Sequence, residues 1–331
     1  MSRFEDIIKM VDDGMAGRNK GLPHGFNRLK RIIPNVQRST YYTIGGETGS
    51  GKTAFTDHAF LYSPYDYMKN KDIISLKVIY FSLEIEYNFK LVKGICRRLY
   101  IDHGIDISAN EILSRGNFKI PPYVRKLINE YKTYFEAMED VVDIYDESYT
   151  PEKINQILSK YVKDNGSWYK NKKGESYYVA NDPNKYTIVI MDHVGLISSG
   201  DKKKAIDDVS KRLIYYRNKC GIIPVMVSQF NRSISSSDRF KIERVEPQLS
   251  DFKDTSSTQE DANVVLALFA PYRYGIDKYK DYDINNLKGE FRGLHVLKNR
   301  DGEDNAAVGL KFIGKSGYFE EYPLPKEMIY K

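Results

Sequence analysis

Cysteine is almost missing from this chain of 331 residues, which holds only Cys96 and Cys220. Their separation matches no CxxC or zinc spacing, so the pair reads as buried thiols of a reducing cytoplasm, neither ligands nor nucleophiles. Long apolar runs are lacking as well. None approaches the ~18 residues of a membrane span. The first eleven residues carry Glu5 and Asp6, so no signal peptide is visible. Nor is there an excess of one charge. The 51 basic and 45 acidic residues leave a formal net charge of +6, which permits a polyanionic partner but is milder than expected of a DNA-coating protein. There is no internal repeat.

What is present is enough for a sizeable core, with 41% of residues hydrophobic. The length suits one large α/β domain with extensions, or two smaller domains. The 27 tyrosines are read as core and surface filler. In Phe4 to Met15 the apolar Phe4, Ile7, Ile8 and Val11 recur at helical spacing, and the polar stretch Ala16 to Pro23 follows. A short amphipathic helix on a flexible tether is expected over residues 1–23. Its apolar face must pack on its own domain or on a neighbour's.

From Tyr41 onward, short β-rich runs alternate with helical ones. Strands are expected at Tyr41–Ile44, Val78–Leu83, Val141–Tyr145, Thr187–Met191, Ile223–Val227 and Val264–Phe269. Helices are expected at Pro151–Lys163 and Ile206–Asn218, among others. Such alternation predicts a mostly parallel central sheet with helices on both faces. The last runs, Phe291–Leu297, Ala307–Ile313 and Tyr318–Tyr322, are joined by short polar turns and read as an antiparallel edge. Asp164 to Lys185, rich in Lys, Asn, Gly and Tyr, is taken as a surface insertion.

Gly46-Glu47-Thr48-Gly49-Ser50-Gly51-Lys52-Thr53 fits G-x-x-x-x-G-K-[ST] at every fixed position, with a strand before it and a helical run from Ala54 to Leu61 after it. Chance would produce such a match in about 1% of chains this long. Glycines let the backbone amides turn inward on phosphate oxygens, and the helix adds its positive end. Residues Gly46 to Thr53, with Ala54, are therefore the expected triphosphate site. Lys52 should reach the β- and γ-phosphates, and the Thr53 hydroxyl should ligate Mg²⁺.

A second carboxylate must help hold the metal. Thr187 to Asp192 is an apolar strand ending in Asp, the Walker B pattern, and strand ends are where ligands sit in such sheets. The next residue is His193, so the catalytic base must come from elsewhere. Val78 to Glu84 is another apolar strand with a carboxylate at its end. The pattern resembles RecA-like sheets, which implies that this strand neighbours the P-loop strand and that Glu84 orients the attacking water, with Glu86 as the substitute.

These pieces, in this order, resemble the C-terminal ATPase domain of DnaB-type replicative helicases, a RecA-like P-loop fold. His24-Gly25-Phe26-Asn27-Arg28-Leu29 looks like the family's Gly-Phe-x-x-Leu lead-in. Gly51-Lys52-Thr53-Ala54-Phe55 and Phe81-Ser82-Leu83-Glu84 are similar to its first two motifs, and Asp192 falls at its Walker B Asp. Val227-Ser228-Gln229-Phe230-Asn231-Arg232 resembles Leu-Ser-Gln-Leu-Asn-Arg, whose Gln senses the γ-phosphate. Leu249 to Asp254 and Gln259 to Val265 follow the Asp-Leu-Arg-Glu and Glu-Gln-Asp-Ala-Asp patterns. Leu297 to Gly302 looks like Lys-Gln-Arg-Asn-Gly, whose Arg reaches a neighbouring subunit's γ-phosphate.

The resemblance implies ATP and Mg²⁺ as ligands, Lys52, Glu84, Gln229, Lys298 and Arg300 as catalytic residues, and Thr53 and Asp192 at the metal. It implies a homo-hexameric ring on single-stranded DNA, with a primase or loader as a further partner. Basic groups that would track phosphates are Lys202, Lys203 and Lys204, read as a loop after the Walker B strand, then Arg232 and Arg239. Lys253 and Asp254 also fall in the family's DNA-touching region, where Lys offers a point charge in place of the family's Arg fork. The helicases' folded N-terminal domain has no counterpart here. Its absence, the compact length and the Lys/Asn/Ile/Tyr-rich composition point to a phage or viral version working in a host cytoplasm. A RecA-like recombinase, loader or regulatory ATPase remains open beside the helicase, as does a nucleotide-stabilised structural ring.

Overall fold

The computed structural model describes residues 3–71, 74–231, 246–252 and 256–330. Thirteen strands occur among them: β1 (Tyr42–Gly46), β2 (Ser75–Ser82), β3 (Val142–Tyr145), β4 (Gly166–Lys170), β5 (Ser176–Ala180), β6 (Lys185–Asp192), β7 (Ile223–Gln229), β8 (Val264–Phe269), β9 (Lys278–Tyr279), β10 (Tyr282–Asp283), β11 (Phe291–Asn299), β12 (Ala306–Ile313) and β13 (Tyr318–Glu321). Nine form one sheet in the order β13-β12-β11-β8-β1-β7-β6-β2-β3. The run from β8 to β3 is parallel, and β11, β12 and β13 add an antiparallel edge. The fold is the expected one.

Alternation along the strands explains the layering. Successive side chains point to opposite faces, and here both faces are dry. Val78, Tyr80, Ile188 and Ile190 enter one core, where the helical stretch after the P-loop contributes Phe55, Phe60 and Leu61. Ile79, Phe81, Val189 and Met191 enter the other, against Ile154 and Leu158 of helix Pro151–Asp164 and Val209 and Leu213 of helix Lys202–Cys220. Burial on both faces gives parallel strands their continuous apolar composition.

Several elements differ from expectation. The strand carrying Glu84 is not beside the P-loop strand. The β7 and β6 strands lie between β1 and β2, a separation of about three strand spacings, or ~14 Å. Lys202, Lys203 and Lys204 are not in a loop. They form the exposed first turn of helix Lys202–Cys220, capped by the Asp201 side chain, which accepts from the Lys204 amide at 3.1 Å. An Asp at that position satisfies an otherwise orphaned amide and offsets the lysines' unfavourable meeting with the positive helix end. The stretch expected to be a surface insertion is largely exposed and holds the hairpin β4–β5, apart from the main sheet. The helix leaving the P-loop also widens to a π-helical turn at His58–Tyr62, just before Pro64. A proline ring clashes with the carbonyl four residues back, and a wider turn accommodates it.

At the N-terminus, helix Arg3–Met15 leaves Phe4, Ile7 and Val11 more than half exposed. The stretch after it is tied down at Leu22, which pairs with Val36 through two backbone hydrogen bonds and is fully buried.

Candidate active site

The P-loop leaves the carboxyl end of β1 and turns into the short helix Lys52–Asp57. Phe26 and Leu29 of the lead-in are buried behind it, with the Phe26 ring stacked on Phe55 at 5.5 Å and on His58 at 4.6 Å. The Gly-Phe-x-x-Leu pattern therefore braces the P-loop helix from the side away from solvent. Two arginines brace the loop itself. Arg273 donates to the carbonyls of Thr48 and Gly49 at 2.7 and 2.8 Å, and Arg292 donates to the Ser50 carbonyl at 2.8 Å. With these carbonyls engaged, the loop's amides are left to face the phosphate side. Neither arginine stands out in the sequence, because nothing local marks a residue that reaches back to a distant part of the chain.

A cavity of about 440 Å³ opens beside the loop, within the range of small-ligand sites. Lys52, Thr53, Ala54, Glu84 and Gln229 line it. Lys52 is buried and donates to the Glu47 carbonyl at 2.8 Å. Burial pushes its ammonium pKa down, and the nearby charges of Asp192, Glu84 and Glu47 oppose that shift. The acidic groups expected around this lysine are therefore within electrostatic reach of it. Glu84 gets there although its strand is distant, because it stands two residues beyond the end of β2 at the carboxyl edge that all the parallel strands share. Glu86 does not line the cavity; it precedes helix Tyr87–His103 and accepts from Asn88 at 3.0 Å.

Asp192 ends β6, paired in register with Ser82, and is 2% exposed. Its Oδ2 accepts from the Tyr80 hydroxyl at 3.1 Å, while its Oδ1 is buried without a partner among the described residues. A buried carboxylate oxygen left open is costly unless a cation or donor meets it. The donor set of Thr53 hydroxyl and Asp192 carboxylate, completed by phosphate and water oxygens, fits Mg²⁺. Next to Asp192 lie residues that no sequence motif marks. Asp57 is buried and pairs with Lys90 at 3.1 Å, and the Lys90 ammonium rests 3.9 Å from the centre of the Tyr80 ring. Burial raises the Asp57 pKa, and Lys90 works against that rise.

Gln229 closes β7, in register with Gly46 of β1. Its side-chain nitrogen lies 3.3 Å from His193 Nε2, which links the ends of β7 and β6.

Lys298 and Arg300 are elsewhere. Because β11 runs antiparallel to β8, Asn299 pairs with Val264 at the start of β8, whereas Gly46 pairs with Leu268 near its end. Lys298 donates to the carbonyls of Gln259 and Glu260, and Arg300 donates to the Glu260 carbonyl at 2.7 Å. Both cations thus occupy the edge of the sheet opposite their own P-loop. Arg232, Arg239, Lys253 and Asp254 lie outside the described residues.

The model of the DnaB-like helicase C terminal domain family matches residues 21–321. The chain belongs to this family. The replicative DNA helicase DnaB of Helicobacter pylori (strain ATCC 700392 / 26695) is 22% identical over 276 residues, 82% of this chain and 48% of that protein. The DnaB-like chain therefore spans about half the length of that curated relative. Among solved structures, one of an ATPase domain superposes with a TM-score of 0.72 at 18% identity, covering 97% of this chain and 99% of that one. A DnaB-like replicative helicase, solved in a study of its interactions with primase, gives 0.70 at 19%, covering 96% and 66%. A KaiC-like protein from Pyrococcus horikoshii OT3 gives 0.51 at 13%, covering 91% and 98%. The RecA-like fold seen in the sheet order is common to all three.

Proposed function

We propose that this DnaB-like chain is the motor of a replicative DNA helicase, hydrolysing ATP with Mg²⁺ while a ring of copies translocates on single-stranded DNA and separates duplex. The observation that supports the reading is the division of the expected catalytic residues between two edges of one sheet. Lys52, Thr53, Asp192, Glu84 and Gln229 gather at the carboxyl edge, and Arg300 and Lys298 stand at the opposite one. A protomer so built cannot supply the last cations to its own nucleotide. Successive protomers can, each serving the next, and a closed ring lets every site be completed.

The P-loop amides from Gly46 to Thr53, with Ala54 behind them, hold the triphosphate, and Lys52 pairs with its terminal phosphates. Thr53 and Asp192 hold the metal, which when bound neutralises charge on the β- and γ-phosphate oxygens. Glu84 orients the attacking water and takes its proton. Gln229 senses the γ-phosphate and passes its presence through His193. Arg300 from the neighbour, supported by Lys298, stabilises the charge that develops, a contribution worth ~10³–10⁵ in rate in related chemistry. Residues 1–23 dock the apolar face of helix Arg3–Met15 on the adjacent protomer, and residues 24–331 form the ATPase domain. The DNA backbone is bound through Lys202, Lys203 and Lys204, and through the region of Arg232, Arg239, Lys253 and Asp254, which lies outside the described residues. The ring is a hexamer, and a primase or loader binds it in the cytoplasm of the cell, a phage host's on the compositional reading.

Strand displacement on a forked duplex tests this. Wild type should release the strand in an ATP- and Mg²⁺-dependent manner, and Lys52→Ala should not. ATP hydrolysis without displacement would favour a recombinase or loader, and six-fold rings against open filaments in micrographs would separate these independently.

A further inference from the structure

Two buried carboxylates beside the P-loop are held in the same way. Asp192 is fixed through Oδ2 by the Tyr80 hydroxyl, and Asp57 through Oδ2 by the Lys90 ammonium, each at 3.1 Å. In both, Oδ1 is buried and has no hydrogen-bond partner among the described residues. Asp57 and Asp192 are only 7% and 2% exposed. Asp57 stands four residues after Thr53, so the two share a face of the P-loop helix, and both line the cavity. Tyr80 interacts with both carboxylates, which brings the two acids to one place from different elements.

A purely structural ion pair does not call for this arrangement. Burying Asp57 and Lys90 together is weakly favourable at best, and it improves only when the remaining lone pairs are satisfied. Here the lone pairs left over belong to one oxygen on each acid, and Asp57 lines the same cavity as Thr53. No cluster of three or more His, Cys, Asp or Glu side chains forms a cage among the described residues. Mg²⁺ does not need one, since it keeps several waters and takes one or two carboxylates.

We propose that Asp57 is a second carboxylate for the hydration shell of the divalent cation, acting beside Asp192, and that Tyr80 and Lys90 are positioning residues that keep one oxygen of each acid free for it. The proposal rests on the reading that the cation sits at Thr53 and Asp192. Outer-shell partners of this sort commonly govern metal affinity by 10- to 100-fold. Tyr80→Phe keeps the ring under Lys90 and removes only the hydroxyl, which frees Asp192 to rotate. Asp57→Asn combined with Lys90→Met removes the second acid without stranding a buried ammonium.

The test is Mn²⁺ binding to the ADP-loaded full chain, followed by electron paramagnetic resonance, with ADP affinity in EDTA and thermal melting measured in parallel. Both variants should bind Mn²⁺ about tenfold more weakly, with ADP affinity in EDTA within about twofold of wild type. Variants that melt earlier yet bind Mn²⁺ as wild type does would show the network to be structural only and overturn the proposal. Wild type that binds ADP but no Mn²⁺ would overturn the underlying metal assignment instead, and the role of Asp57 with it.

Discussion

Arg273 occupies the space that a side chain on Gly49 would need. A Cβ at Gly49 would lie 2.6 Å from the Arg273 Nη2 atom, and that same nitrogen donates to the Gly49 carbonyl. Gly49 has φ +74°, a left-handed conformation that suits glycine. The loop glycine is thus favoured by its own backbone, and any side chain there would displace the guanidinium that closes over it. Arg273→Ala should loosen the loop and weaken nucleotide binding about fivefold, the equivalent of ~1 kcal/mol for exposed charge-assisted bonds. Arg273→Lys should not restore it, since one ammonium cannot span two carbonyls as the planar fork does. Titration with a fluorescent nucleotide reads both, and wild-type affinity in Arg273→Ala would remove the role.

In the proposed mechanism Glu84 is the base and Asp192 serves the metal, so removing the base should act on turnover and spare binding. Glu84→Gln should cut ATP turnover by ~10²–10⁴ while leaving nucleotide affinity within about threefold. Steady-state hydrolysis and equilibrium binding on one preparation make the comparison. Retained turnover in Glu84→Gln would move the base elsewhere.

In the proposed ring, Arg300 acts across an interface. Arg300→Ala alone and Lys52→Ala alone should each hydrolyse ATP at under ~1% of the wild-type rate, from the ~10³–10⁵ ascribed to such cations. Mixed together, the two should recover activity wherever an intact P-loop faces an intact arginine. Mixing that never exceeds the sum of the parts would argue that Arg300 serves no neighbour.

Gly25 sets the lead-in against the P-loop helix. It has φ +88°, and a Cβ there would come within 2.5 Å of His58 Nε2 and 2.7 Å of Ser63 Oγ. The His58 ring, stacked on Phe26, has little room to retreat. Gly25→Ala should cost about 2–3 kcal/mol through strain and overpacking. Chemical denaturation would register the loss as a lower midpoint at unchanged slope. An unchanged midpoint would mean that the lead-in gives way easily.

His295 should make stability sensitive to acid. Burial pushes its pKa down from 6.5 to about 4, with Glu246 pulling it up and Lys280 pushing it further down. The unfolded chain therefore binds more protons between these values. Stability is full above pH 6.5 and is lost as the pH falls through about 4, by ~3 kcal/mol in all. His24 and His58 are also lowered by burial and add in the same direction. Denaturation midpoints at about pH 7.5, 5.5 and 4.5 should fall in that order, and less steeply in His295→Gln. Equal slopes in both proteins would exclude His295 as a source of the effect.

Much of this molecule can be read from residue order alone, because its strongest signals are local. Every strand expected in the main sheet is present, and burial on both faces writes the central parallel ones as largely apolar runs. The P-loop is legible because amides, lysine and hydroxyl must be neighbours in sequence to be neighbours in space. The hairpin in the insertion is harder to see although Trp168, Tyr169, Tyr177 and Tyr178 mark its strands, because the polar turn between them dominates the composition. The lysine triplet misleads for a related reason. Its charge suggests a loop, and the Asp201 cap that starts a helix there is a single residue.

Residue order alone determined the P-loop segment, the layered α/β class and the acids at the ends of two strands, all of which depend on contacts within a few positions. Only the tertiary structure decided that β7 and β6 separate Glu84's strand from the P-loop strand and that Arg300 stands at the far edge of the sheet. It also decided that Tyr80, Asp57 and Lys90 meet behind Asp192. These depend on how distant strands line up side by side, and pairing between distant segments is set by the packing of the whole sheet, which no short stretch of chain encodes.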